Sequence, residues 1–363
     1  MNKKNIEELE KYLLDFLDTT IINLSTTNVE LMKTIVNDVY AICDGEVLSP
    51  KERLKYIYNL VKTKNEITLK SVIKHLYNYA GEHFYSALKK KTTNNKVMQK
   101  ILKNQTKTVS KMFRDIAPEN LVLVLGGQQQ TLDNAYCNLI KEATLLSHIG
   151  AIDTQTAINK IVKELGGSGG VKVMRGNNAI RVDTVVRQIV LDSSHEVAQQ
   201  VQFEVGKQLK CDGVEITAHG ICADDHLRVQ GKIFTNAEFE KINSKLHRKI
   251  GTHNCRHMIM PVILKNHVPR YTTKELEAIN EASTKNIEIA GKNYTRYEAT
   301  QLQRQIETKL RYAKEALEIY KTNEDKTMAT KQQKYITVLN KQYTEVCKVA
   351  DLTKRPKRTQ IVK

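Results

Sequence analysis

Tryptophan is absent from the 363-residue chain, and there are only 6 phenylalanines and 5 prolines. Without tryptophan, and with tyrosines mostly at helical spacing, a stacking platform for single-stranded nucleic acid is not expected. No apolar run approaches the roughly 20 residues that a membrane-spanning helix needs. The longest near the middle, LVLVLGG from Leu121, is far shorter, so membrane insertion is not expected. Nothing at the N-terminus resembles a secretory leader, and the cysteines at 43, 137, 211, 222, 255 and 347 lack the dense spacing of a disulfide scaffold. They read as reduced thiols in a protein made in a cytoplasm. Acidic residues are in deficit, with 40 Asp and Glu against 57 Lys and Arg, a formal net charge of +17. That imbalance favours acidic partners, a phosphate backbone or an anionic protein face.

What is present is chiefly helical pattern, in a chain long enough for two or three domains of about 100–200 residues each. From Asn5 to about Lys163, apolar residues recur at three- and four-residue spacing, as in IEELEKYLLDFLDTTIINL, which predicts helix after helix. Within this half, Leu88 to Arg114 carries Lys89, Lys90, Lys91, Lys96, Lys100, Lys103, Lys107, Lys111 and Arg114 with no acid among them. A solvated face is the ordinary meaning of such a run, and an arm that contacts DNA or an acidic partner is the functional one. Lys354, Arg355, Lys357 and Arg358, around Pro356, form a second cluster that reads as a frayed tail able to make the same contacts.

The pattern changes after Leu165. GGSGG reads as a flexible break and VKVMRGNNAIRV as a hairpin around Gly176; a helix then follows with Asp183 as its N-cap. Alternation in GVEITAHGI predicts a strand, CADDHLRVQGKIF a loop leading to a second apolar stretch, and FEKINSKLHRKIG a helix ended by Gly251. HMIMPVIL reads as a last strand, placed at a sheet edge by Pro261. Beyond Pro269 the chain reads as helical, with Thr273 as a cap and a helical pair turning at Asn323-Glu324-Asp325. The expected fold is α+β and predominantly helical. It comprises an N-terminal helical region (1–130), a central small α+β domain with a short sheet (131–269), and a C-terminal helical extension with a basic tail (270–363).

One polar constellation could carry chemistry. A zinc site could draw on His219, His226, Cys255 and His257, although His-x6-His followed by a distant Cys-x-His is not zinc-finger spacing. Cys255 and His257, two residues apart, share a metal only if the backbone turns both inward. A thiol enzyme could use Cys255 as nucleophile, His219 or His257 as base and Asn254 as donor, with Arg256 depressing the thiol pKa, yet no Gly-rich oxyanion turn is near. Asp224-Asp225 reads as a charged loop before it reads as a nuclease site, and GGSGG lacks the Gly-Lys-Ser/Thr of a phosphate loop. The favoured reading is a structural staple made by Glu215, His219, His226, Gln230, Asn254, Cys255, Arg256 and His257, with Arg256 reaching carbonyls or the Glu215 carboxylate. On that reading there is no catalytic residue and no cofactor; zinc is the alternative.

These residues carry a resemblance. The chain resembles the phage minor capsid protein 2 family of tailed-phage head-morphogenesis proteins in an ordered set of segments. They are DTVVRQIV with Asp183 and Arg187, CDGVEITAHG with Cys211, Glu215 and His219, then His226, QGKIF from Gln230, NCRH from Asn254 with Pro261 after it, and YEATQLQRQIETKLRYAK from Tyr297. The agreement runs from Thr131 to Lys314, and the closing KRTQIV also fits. Where the family carries Ala-Arg-Pro-Ser between its histidines, this chain has Cys222-Ala223-Asp224-Asp225, and Val229 stands in place of a tryptophan. Losing that arginine and gaining two acids argues against phosphate chemistry in this loop. The resemblance implies a virion component made in the host bacterial cytoplasm. It implies a place at the portal vertex, a role in head assembly, DNA packaging or DNA delivery, and as partners the portal protein and other head proteins; the basic surfaces fit contact with packaged double-stranded DNA. The rivals are a virion-carried metal- or Cys-dependent hydrolase or nuclease, and a free-standing cytoplasmic nucleic-acid-binding protein.

Overall fold

The computed structural model describes residues 3–44, 46, 48–79, 95–149, 154–252 and 255–361. Its longest element is helix α1 (Lys3–Cys43), 41 residues and so about 60 Å long. Leu13, Leu17 and Leu24 of α1 pack with α2 (Pro50–Asn78), α3 (Asn95–Arg114) and α6 (Val182–Gln208) in one core. Farther along the same apolar stripe, Leu31, Ile35 and Val39 enter a second core with α4 (Leu132–Ile149), α5 (Thr154–Gly167) and the end of α10 (Arg296–Thr322). One amphipathic spine therefore serves two cores.

The helical half contains a strand pair that periodicity alone does not reveal. β1 (Leu121–Leu125) and β2 (Gln128–Thr131) form an antiparallel hairpin turned by Gly126 and Gly127, both at positive φ. Five apolar residues are too few for a buried helix, and two glycines supply a left-handed turn at little cost. The hairpin expected at Gly176 is present as β3 (Lys172–Arg175) and β4 (Asn178–Arg181), and β1 pairs with β3 to give an antiparallel sheet ordered β2-β1-β3-β4. GGSGG is not a flexible break: Ser168 is buried, and a Cβ on Gly170 would meet Asn28 Nδ2 at 2.5 Å and Arg181 Nη1 at 2.7 Å.

Asp183 does not cap α6. Arg181 occupies the N-cap position, and Asp183 in the first turn pairs with Arg181 at 3.1 Å and with Arg311 at 3.2 Å. Arg181 also reaches Glu315 at 2.8 Å, while Arg358 reaches Asp18 at 2.7 Å and Glu307 at 3.7 Å. Burial by itself would raise the Asp183 carboxyl, but Arg181 and Arg311 overcome it and hold the group well below the usual carboxylate range. This network joins α1, α6, α10 and the C-terminal turn Pro356–Thr359. The tail is consequently not frayed. Arg358 is buried and paired, which removes it from any surface contact with DNA, whereas Lys354 and Lys357 are exposed and Arg355 is half-buried.

The second sheet carries the polar constellation. β5 (Gly213–Ile216) lies between β6 (Ile233–Thr235) and β7 (Ile259–Val262), with Pro261 on the edge strand opposite Val214. Between β5 and β6 the expected loop includes one helical turn, α7 (Asp224–Leu227). α8 (Asn236–Ser244), started by a Thr235–Glu238 capping box, stops well short of Gly251. The cap of α9 (Thr273–Thr284) is Thr272 rather than Thr273, because the Thr272 hydroxyl accepts from the Glu275 N–H. A small hairpin, β8 (Ile287–Ile289) and β9 (Lys292–Tyr294), interrupts the helical C-terminal part and turns at Ala290-Gly291, both at positive φ. α10 and α11 (Lys326–Val349) form the helical pair anticipated around Asn323. The fold is α+β and predominantly helical, and no described helix is long and apolar enough to cross a membrane.

Candidate functional site

Backbone pairing brings the two halves of the constellation together. Past the end of β5, the Thr217 N–H donates to the Met258 carbonyl at 3.0 Å, and the Met258 N–H donates to Thr217 Oγ1 at 2.8 Å. The rings of His219 and His257, each just beyond this clamp, stack with centroids 4.4 Å apart. α7 presents His226 edge-on to His257 at 5.3 Å. Gly231 then takes φ +70° at a point where a Cβ would lie 2.5 Å from Leu276 Cδ1, and its N–H reaches the Ile216 carbonyl at 2.9 Å. This tight return leaves Gln230 with no exposure.

Gln230 orders the rings. Its Oε1 meets the His219 backbone N–H at 3.1 Å and His257 Nε2 at 3.1 Å, while its amide donates to Asn280 Oδ1 of α9 at 2.7 Å. A backbone N–H can only donate, so the oxygen of Gln230 must face it, and His257 consequently carries its proton on Nε2. His226 Nε2 faces the Arg248 carbonyl at 2.7 Å, again an acceptor only. In the neutral form of each ring Nδ1 is therefore the lone pair, and Cys255 Sγ lies 3.5 Å from that of His226 and 3.3 Å from that of His257. Arg248 is itself held by Asp225 at 2.6 Å and by the Tyr297 hydroxyl at 2.9 Å.

Burial dominates the electrostatics. It lowers His219 to about 3 and His257 well below the usual imidazole range, raises the Cys255 thiol, and pushes Cys222 up to about 12. Nearby, burial followed by the charge of Arg256 lowers His195 to about 4. These thiols are protonated at neutral pH by their surroundings, unlike an activated cysteine nucleophile.

Of the expected staple residues, His219, His226, Gln230, Cys255 and His257 meet in one cluster. Glu215 does not join Arg256. It is fully buried and takes His267 Nε2 at 2.9 Å, Arg270 Nε at 3.0 Å and the Arg270 N–H at 2.7 Å. A zero-exposure carboxylate on the central strand is served by the segment just after β7, and Arg256 turns instead toward Glu10 of α1 at 3.3 Å. Asn254 lies outside the described residues, as do Lys89, Lys90 and Lys91. Lys96, Lys100, Lys103, Lys107 and Lys111 are all exposed on α3. Arg248, Asn280 and Cys222, the last with Sγ 3.7 Å from His257 Nε2, also belong to the cluster. Sequence pattern gave no signal for Arg248 or Asn280, since Arg248 reaches the site from the loop after α8 and Asn280 from within α9.

A family model described as phage minor capsid protein 2 matches residues 48–347. Comparison with curated proteins gives no match, and comparison with solved structures gives none. With most of the chain matched, and with the His219–Gln230 and Cys255–His257 segments inside the matched span, the chain belongs to the phage minor capsid protein 2 family and is a minor protein of the phage head.

Proposed function

We propose that the protein acts at the portal vertex of a tailed-phage head, in head assembly, DNA packaging or DNA delivery, and that α3 touches the packaged duplex without reading its sequence. The observation that carries the DNA part is the charge arrangement of α3. Lys96, Lys100, Lys103, Lys107, Lys111 and Arg114 recur every three or four residues and are exposed, so they line one face of a helix that contains no acid. The opposite face, with Leu102, Val109 and Phe113, is buried against α6 and α2. Twenty residues of helix extend about 30 Å, close to one turn of duplex DNA. Other head proteins are the natural partners of a family member, and the formal charge of +17 fits an acidic face on the portal. The role is read as structural, with no catalytic residue assigned.

Titrating the full chain onto unrelated duplexes across a salt series tests the DNA contact. Affinity should be indifferent to sequence and fall steeply with salt. Replacing Lys100, Lys103 and Lys107 by Gln should reduce the log–log salt slope by about 2.7, at about 0.9 per lost phosphate contact, with stability unchanged within about 0.5 kcal/mol. Salt-insensitive binding, or none at low salt, would sink this part. The portal assignment stands on recovery of the chain with the portal from purified particles, and falls if the chain fractionates away from portal complexes.

A further inference from the structure

Cys255 has at most one proton to offer, yet two imidazole lone pairs face its sulfur. Both histidines are held in that tautomer from behind: His226 by the Arg248 carbonyl at 2.7 Å, His257 by Gln230 Oε1 at 3.1 Å. Hydrogen bonding alone leaves one buried acceptor without a donor, an arrangement that native interiors rarely keep. A cation among the three atoms satisfies all of them. We propose that His226 Nδ1, His257 Nδ1 and Cys255 Sγ form a binding site for a zinc-type divalent cation in this head protein.

The geometry fits the ion. Zinc bonds of about 2.3 Å to sulfur and about 2.0–2.1 Å to nitrogen, at tetrahedral angles, set an S···N edge of roughly 3.5 Å. The observed edges are 3.5 and 3.3 Å, and the ligand atoms of the three residues lie within 4.8 Å of one another. All three side chains are buried. One thiolate and two imidazoles are borderline-soft donors of the kind that select zinc over magnesium or calcium. Ligating histidines characteristically give their second ring N–H to a carbonyl or carboxylate, which is what Arg248 and Gln230 receive here. The backbone turns Cys255 and His257 to the same side although they are only two residues apart, the condition their spacing demanded.

His219 and Cys222 stand outside the three-ligand set. Cys222 Sγ approaches His257 from its Nε2 side, away from the proposed ion. His219 accepts at Nδ1 from the Ile221 N–H at 3.3 Å, so its Nε2 bears hydrogen, and that atom is buried with no hydrogen-bond partner among the described residues. It borders a cavity of about 90 Å³ that is shared with the three ligands, Arg256 and Arg304. A fourth ligand, a water or an anion, fits that space, with the His219 N–H as a donor to it.

Cobalt(II), added to untagged full-length protein prepared without chelators, is the probe. One equivalent should give the intense visible bands of tetrahedral cobalt and a thiolate-to-cobalt charge-transfer band, both removed by one equivalent of zinc. Cys255→Ser should abolish the charge-transfer band while Cys222→Ser keeps it. Gln230→Ala leaves all three ligands in place and should weaken zinc binding about 10–100-fold. That variant covers the case in which Cys255→Ser does not fold. A folded wild-type chain that takes up no cobalt, a band that survives Cys255→Ser, or a band lost only with Cys222→Ser would overturn the assignment.

Discussion

Two of the buried polar clusters in this molecule solve the problem of burial in opposite ways. Around Arg181, Arg311 and Arg358, every guanidinium faces carboxylates drawn from α1, α6 and α10, so charges taken from water are returned to partners inside. Around Cys255 two imidazole nitrogens converge on one sulfur, and the His219 N–H meets no acceptor among the described residues. A cluster that closes on itself is architecture. One that turns a set of ligand atoms toward a shared cavity is the proposed receptor for a cation.

The contrast can be broken first at its strongest point. Arg181→Leu takes one of two arginines from Asp183 and the guanidinium from Glu315, and should cost about 3–5 kcal/mol in denaturant unfolding; a loss below about 1 kcal/mol would mean that the ion network contributes little. Next comes Gln230→Leu, which leaves the His219 and His257 N–H groups and the Asn280 carbonyl without their partner and should cost about 2–3 kcal/mol. If it matches Arg181→Leu, the two clusters are equally structural and the distinction fails.

Acid separates the clusters by pH window. His195 and His219 have folded pKa values of about 4 and about 3 against 6.5 in an unfolded chain, so below about pH 6.5 the unfolded state binds protons that the folded state refuses. Stability should fall by up to about 1.4 kcal/mol per pH unit for each such histidine as pH drops toward 4. Asp183, whose carboxyl is held below its ordinary 3.8, surrenders its contribution only at lower pH still. Urea midpoints at pH 7 and pH 5 measure the first window alone, and an unchanged midpoint would contradict neutral burial of these rings.

Much of this was legible in the residues, and the failures share a cause. Long periodic stretches such as α1 and α10 declare themselves because their own spacing decides their buried face. β1–β2 and β8–β9 do not, since five or fewer residues have no distinguishable period, and only Gly126-Gly127 and Ala290-Gly291 hint at the turns. His226, Cys255 and His257 were recognisable as ligand types, but their convergence depends on the Thr217–Met258 clamp, a tertiary pairing. Glu215 was placed with the wrong arginine for the same reason: sequence gives the charges and not the route between them. Asp183 looked like a cap because caps are local, whereas its partner Arg311 lies 128 residues away.

Asp18 and Arg358 meet across 340 residues, and close by the Thr26 hydroxyl holds the Ile361 carbonyl across 335. At about 5–20 residues per second, a ribosome places roughly 17–70 s between the emergence of the two partners. During that interval α1 is complete while the Arg358 guanidinium that pairs with its Asp18 does not yet exist. A nascent chain stopped short of Arg358 lacks the 2.7 Å ion pair that ties Asp18 of α1 to the C-terminal turn, so the closing of the molecule is timed by synthesis as well as by packing.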